Sequence, residues 1–509
     1  MLAYHHKIKL FVFAISTQLA LIAPASADHE TTGLQDKIAH MEEGLRPAYR
    51  MKGEPGQRWT LEERMDHYNV PGVSIALIQD GNVVWAKGYG TSKVGSDNPI
   101  DPDTVFSVGS LSKTAGAMVA LKMVADKELD LDHDVNEYLT SWQLPKSDFS
   151  KNSPATLRGL FAHTAGLSVS GFADYLPRED LPTTKETLNG TGPAKNDPVE
   201  FIYTPGTHSS YSGGGTTVAE LVMEDVSALS FPEVSNQRVF MPLGMTRTTF
   251  ENPLPASHGN IAHAHDENGE KTALPRGWHA FPERAASGLW TTPTDYANML
   301  IALVDSYHGE EDAFLPQTLA IDTLTEQGPS DHGIAPVMKG SGIERRLAHG
   351  GSNEAYKALY EVFLETQSGI VVFTNGANGW PLNDEIARAT YDAFGWPGRE
   401  EIISIPTSLS SKQLGEFAGI YELTIEDLTT TKRLYRHGTF EIEILLRKGK
   451  LYINHEDSRG DLLLPLSSHR YITEDGFYEI EFVKSLTGGP MTAVIRGGDN
   501  MAEFVHIQN

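Results

Sequence analysis

Between Leu111 and Ala125 the chain runs through Ala, Met, Val and Leu, with apolar side chains on nearly every side. A helix of that composition cannot sit on a surface with one face in water, so the fold must enclose it. The 509 residues allow a core of that size and predict roughly three domains at about 150 residues each. Hydrophobic residues at 40% and charged residues at 21% are ordinary globular usage. There is no cysteine, so core packing has to hold the fold without disulfides or thiolate metal sites.

Upstream of the buried helix, Val73-Ser74-Ile75-Ala76-Leu77-Ile78 and Val83-Val84-Trp85 flank Asp80-Gly81-Asn82. Two apolar runs about a glycine-containing turn predict a β-hairpin. Leu157 to Gly166 and Thr216 to Val226 read as helical or mixed, and Ala358 to Leu364 and Ile370 to Thr374 read as strands. Helices between two strand-rich regions predict an α/β fold of the α+β type, an antiparallel sheet flanked by helices plus a helical subdomain. Composition shifts after Trp396-Pro397-Gly398, and Pro406 to Ser411 looks like a linker. Short alternating runs follow at Thr439 to Ile444, Lys450 to Ile453, Phe477 to Phe482 and Met491 to Ile495, which predicts a small C-terminal antiparallel β-barrel or sandwich.

Residues 1–27 read as an export leader. His5, His6, Lys7 and Lys9 precede an apolar stretch from Leu10 to Ile22, and Ala25-Ser26-Ala27 supplies the small-x-small cleavage pattern. The stretch is broken by Ser16, Thr17 and Gln18, whereas a spanning helix needs about 20 apolar residues. Cleavage after Ala27 and a periplasmic or secreted bacterial location are expected, with no stable membrane insertion afterwards. The expected division is therefore a leader at 1–27, a catalytic domain at 28–405 and a β domain at 411–509. The formal net charge of −26 disfavours nucleic acid and anionic membrane surfaces as partners.

Three segments carry chemistry. In Ser110-Leu111-Ser112-Lys113 the serine and lysine stand at i and i+3, on one face of a helix, so Lys113 can reach the Ser110 hydroxyl. Unpaired N–H groups and the helix dipole favour developing negative charge at that first turn. On these two residues alone, an N-cap serine followed by a snorkelling lysine is an equal reading. Pro205-Gly206 leads to Tyr211-Ser212-Gly213-Gly214-Gly215, where a tyrosine beside an ammonium can act as a base. Taken alone, a tyrosine packed beside a glycine loop explains it as well. His349-Gly350-Gly351-Ser352 enters the strands near residue 360, and its glycines leave backbone open to a substrate or an oxyanion. A turn with an incidental histidine is the alternative.

In this order the three segments resemble the serine β-lactamase and penicillin-binding-protein superfamily, within it the esterase and peptidase branch of class C β-lactamase-like serine hydrolases. The likeness covers residues 60–395 and includes Val70-Pro71-Gly72-Val73, Leu160-Phe161-Ala162-His163-Thr164-Ala165-Gly166-Leu167, Pro242-Leu243-Gly244-Met245 and Gly288-Leu289-Trp290-Thr291-Thr292-Pro293. It implies that Ser110 is acylated, that Lys113 and Tyr211 move its proton, and that His349 to Gly351 stands where the family carries Lys-Thr-Gly. The N–H groups of Ser110 and Ser352 would form the oxyanion hole. No metal or organic cofactor is implied, and the C-terminal module resembles the lipocalin-like β domains of some members.

The departures bear on substrate. Gly213 replaces the asparagine of Tyr-x-Asn, and His349 replaces the lysine that helps hold a β-lactam carboxylate. A mostly neutral imidazole binds a carboxylate less well. The expectation is an ester or amide lacking that carboxylate, with D-amino-acid or cell-wall peptides next, β-lactams behind them, and a cell-wall fragment binding protein as the non-enzymatic alternative. Tyr296-Ala297-Asn298 spells Tyr-x-Asn more faithfully, yet it falls on an amphipathic helix after the cap-like Thr294. Tyr211 is preferred for its position between the other segments. His263-Ala264-His265-Asp266 has chelating spacing but runs into an exposed-turn sequence, so no metal site is expected. There is no Gly-x-Ser-x-Gly elbow.

Overall fold

The computed structural model describes residues 25–405, 409–424, 441–454, 460–474, 478–485, 489–497 and 500–507. Residues 1–24 of the expected leader, 406–408 of the expected linker, and Thr439, Phe440 and Phe477 of the expected strands lie outside them.

The hairpin forms as its sequence dictates. Strands β1 (Gly72–Gln79) and β2 (Asn82–Gly90) join through Asp80 and Gly81, both with positive φ, the geometry that matches the right-handed strand twist. Four more strands follow late in the chain: β3 (Val337–Lys339), β4 (Arg346–Asn353), β5 (Tyr356–Phe363) and β6 (Gly369–Thr374). All six make one antiparallel sheet in the order β2-β1-β6-β5-β4-β3. Its seam pairs the two ends of the domain, from Val73 opposite Thr374 to Ile78 opposite Gly369.

Alternation along the strands fills both faces. Val73, Ile75 and Leu77 pack with Leu382, Ile386 and Ala389 of the helix Gly379–Phe394 and with Met41 and Leu45. Ala76 and Ile78 turn the other way, into a larger core around α1 (Leu111–Ala125) and the helix Pro293–His308. Twelve of the fifteen α1 residues are buried, as the all-round apolar composition requires. The helical region lies between β2 and β3 in the chain and includes α2 (Gly213–Ser227).

Two helix boundaries differ from expectation. The segment expected from Leu157 to Gly166 is helical only over Leu157–Phe161, because His163 and Gly166 take left-handed backbone. Thr292, not Thr294, caps the helix carrying Tyr296, and its hydroxyl accepts the Asp295 N–H with Pro293 in the first turn. Of the expected linker, Ser410 and Ser411 belong to a short helix, Ser411–Gly415, closed by a Ser410–Gln413 capping box.

The C-terminal strands close into an eight-stranded antiparallel barrel with neighbours in chain order. It has a core of its own, built from residues such as Tyr421, Ile444, Tyr471, Phe482 and Phe504. Closure leaves it no free edge. The strand Ile402–Ser404 pairs in parallel with Tyr49–Met51, and the next residue, Ile405, donates its N–H to Pro465 in the barrel. The architecture is the α+β sheet with flanking helices and C-terminal barrel that the sequence predicts.

Candidate active site

Ser110 holds the N-cap position of α1 with helical φ/ψ, and its hydroxyl caps nothing. Lys113, one turn on, is 2% exposed, so it does not snorkel. The bland alternative of a capping serine and a surface-seeking lysine therefore fails on both residues. Instead the Lys113 ammonium donates to Ser110 Oγ at 3.3 Å and to the Ala286 carbonyl at 2.9 Å. The short helix Arg284–Ser287 sets that second acceptor by packing Ala285 against Gly116 of α1. The ammonium also lies 4.9 Å from the Tyr211 ring centroid, a favourable cation–π placement. Ser112 buttresses the turn, its hydroxyl donating to the Gly109 carbonyl at 2.6 Å and accepting the Leu289 N–H at 2.9 Å.

Tyr211 reaches this place because Ser212 begins α2, its Oγ accepting the Gly215 N–H. The glycines let the helix start press against the 168–172 loop, where Gly213 and Gly214 donate to the carbonyls of Ser170 and Val169. Tyr296 lies elsewhere. It is fully buried, and its hydroxyl donates to the Leu111 carbonyl at 2.9 Å, which makes it a brace under the first turn of α1.

His349, Gly351 and Ser352 lie on β4, whose pairing with β3 ends at Ala348. The 349–353 edge thus has no strand partner on that side among the described residues. Gly351 has a different use from the open backbone expected of it. A Cβ there would stand 1.9 Å from the Val108 carbonyl oxygen, so its face is pressed against the loop that carries Ser110. Gly109, at φ +51°, completes the contact, since a Cβ on it would lie 2.7 Å from the Ser352 N. Two glycines, one on each side, bring the Ser110 and Ser352 backbones together.

Beside His349, the site contains two histidines, His163 and His332, that sequence reasoning gave no role. Tyr211 has ring centroids of His163 at 4.2 Å, His332 at 6.1 Å and His349 at 6.4 Å around it. The Ser212 N–H donates to His163 Nδ1 at 3.2 Å, so a neutral His163 ring carries its proton on Nε2. His332 and His349 donate from Nδ1 to the carbonyls of Ala335 and Gly350 at 2.8 and 2.6 Å. In a neutral ring so arranged, Nε2 is the acceptor nitrogen. His163 sits inside a quoted motif, whereas nothing in the sequence around His332 marks it out. His265 is buried, with Nε2 accepting the Val94 N–H and Nδ1 against the Asn375 carbonyl, so the His263-Ala264-His265 spacing serves packing.

Behind the Ala286 carbonyl lie two buried acids. Burial pushes Glu220 up to about 7 despite hydrogen bonds from Arg284 and the Ala285 N–H. Glu283 is pushed up to about 8, mainly by burial and also by the Glu220 and Asp174 charges, and among the described residues its oxygens have no hydrogen-bond partner outside Glu283 itself. A carboxyl raised in the folded state contributes stability in full below its unfolded value near 4.5, and that stability is lost as pH rises toward 8. Wild-type stability in urea is thus expected to fall between pH 6 and 9, and Glu283→Gln to remove on the order of 2 kcal/mol of that fall. Parallel pH profiles for the two proteins would refute the assignment.

No helix among the described residues is long and apolar enough to cross a membrane. Comparison with known proteins agrees with this architecture. The chain is 24% identical over 326 residues to protein flp of Staphylococcus aureus (strain MRSA252), covering 62% of this chain and 61% of that protein. The chain thus spans about three-fifths of the length of that relative. It is 23% identical to a D-aminopeptidase of Brucella anthropi, over 73% of this chain and 69% of the relative. Among solved structures, an octameric penicillin-binding protein homologue from Pyrococcus abyssi superposes with a TM-score of 0.57 at 20% identity, over 87% of this chain and 98% of that one. SurE with D-Leu gives 0.54 at 18% identity, over 88% and 97%. These likenesses show the fold, and the Beta-lactamase family profile matches residues 58–393. On that match over most of its length, the chain belongs to the β-lactamase family of serine hydrolases.

Proposed function

We propose that this chain is an exported serine hydrolase that cleaves an ester or amide through an acyl-enzyme on Ser110, with esterase-like preference. The observation that carries this reading is the buried Lys113 ammonium, shared between Ser110 Oγ and the Ala286 carbonyl beside the Tyr211 ring. Ser110 Oγ attacks the substrate carbonyl carbon while its proton passes into the Tyr211–Lys113 pair. The carbonyl oxygen becomes an oxyanion held by the N–H groups of Ser110 and Ser352 at the start of α1. The proton then goes to the leaving alcohol or amine as the carbon–heteroatom bond breaks. Water repeats the sequence and frees Ser110.

The cations around β4 support the ester preference. Arg346 faces Glu361 at 3.8 Å and lies against the Phe363 ring. Lys357, opposite Ser352 in register, donates to the Asn353 and Glu354 carbonyls. Both are engaged by partners within the fold, which supports a substrate lacking a carboxylate. The leader at 1–27 would direct the chain to the periplasm or medium, with 28–405 as the catalytic domain. The β domain at 411–509 would shape access to the cleft or pack against the core. The likeness to a D-aminopeptidase favours a D-amino-acid peptidase as the second reading.

The test is kcat/KM on three substrates: an activated short-chain ester, a D-aminoacyl anilide and a β-lactam. The ester is expected to lead each of the others by at least about 100-fold. A lead for the anilide would transfer the assignment to the peptidase reading. Absence of turnover and of any acyl adduct would leave a binding protein.

A further inference from the structure

A second cluster lies where three segments meet beyond Ser352. Asp174 comes from the loop after residue 168, His279 precedes the Tyr175–Ala280 bridge, and Glu354 sits at the tip of the β4–β5 hairpin. One ligand-type atom of each lies within 4.8 Å of the other two. His279 is 2% exposed, and its Nδ1 has no hydrogen-bond partner among the described residues. That nitrogen points at Asp174 Oδ2 from 3.6 Å, too far for a hydrogen bond.

We propose that Asp174, His279 and Glu354 bind one divalent transition-metal cation of the zinc type. The buried Nδ1 and the Asp174 carboxylate thus face a shared gap that neither fills. A cation in that gap would give the buried nitrogen the partner that an orphaned polar atom lacks at a cost. Among the described residues, the Glu354 N–H also donates to Asp174 Oδ2, at 3.2 Å.

The neighbouring ammonium groups do not occupy that position. Lys195 Nζ donates to the Asp174 carbonyl and to Glu179, and Lys357 Nζ donates to the carbonyls of Asn353 and Glu354. One imidazole nitrogen and two carboxylates suit a borderline cation better than calcium, which takes six to eight oxygens. Three protein ligands leave a fourth position open. The cation would tie the 168–175 loop to the hairpin tip next to Ser352. The same loop receives the Gly213 and Gly214 N–H groups at the start of α2, so occupancy would stiffen both walls of the cleft.

The test titrates chelator-treated full chain with Zn²⁺ by calorimetry and follows thermal unfolding in parallel. One saturable site is expected in the wild type, with a rise in Tm on loading. Glu354→Gln changes an exposed side chain and should leave the fold intact; it is expected to weaken binding by more than about tenfold. Asp174→Asn is expected to do the same. No saturable binding by the wild type, or wild-type binding by both variants, would overturn the proposal.

Discussion

Ser110→Ala is expected to lower turnover of an activated ester by about 10⁴-fold or more and to leave no acyl adduct in the intact mass. The loss should appear without a loss of stability. Replacing an N-cap serine by alanine ordinarily costs about 1 kcal/mol, because a helix N–H loses its acceptor. Here the hydroxyl accepts no helix N–H, and its partner is the Lys113 ammonium. An unchanged Tm beside abolished acylation separates a reacting hydroxyl from a structural one. An adduct that persists in the variant would place the nucleophile elsewhere and sink the Ser110 assignment.

Gly351→Ala is expected to be nearly as damaging, by a different route. The added methyl would stand 1.9 Å from the Val108 carbonyl oxygen and 3.0 Å from Leu111 Cδ1. The nearer atom is backbone at the head of α1, with no flexible side chain to swing away. Relief requires β4 to move off the Ser110 loop, at a cost of about 3 kcal/mol or more. That movement also separates the Ser110 and Ser352 N–H groups, and positioning errors of that size cost about 10²-fold in rate. Urea denaturation and ester turnover on one preparation should therefore fall together. A variant with wild-type stability and activity would show that the close approach is not needed.

The parts legible in the sequence were those set by local spacing. Ser110 and Lys113 share a helix face by i to i+3 geometry, and the hairpin at Asp80-Gly81 is written in its turn residues. The all-round apolar run after Ser110 required burial whatever surrounded it. What stayed hidden depends on segments meeting across the fold. His332 approaches Tyr211 from a loop with no periodicity, and Asp174, His279 and Glu354 come from three separate stretches. Gly351 was read for an accessible backbone because the sequence does not show which neighbour presses on it. Tyr296 shows the opposite hazard, since its Tyr-x-Asn spelling matches the family while its hydroxyl serves the Leu111 carbonyl.

The seam between β1 and β6 has a consequence for the order of events in the cell. The Ser110 loop is synthesised early, and the strand that walls it, with Gly351 and Ser352, emerges far later. At translation speeds of about 5–20 residues per second, the interval lasts on the order of ten seconds or more. Through that time the growing chain carries Ser110 and Lys113 but not the Gly351–Ser352 backbone that packs against their loop. Closing so long a loop is also slow, because contacts far apart in sequence repay their entropy only when made. If Ser110 is the nucleophile proposed above, its activity would arrive with the last strands of the sheet, and the unfinished chain would be chemically quiet until its two ends have met.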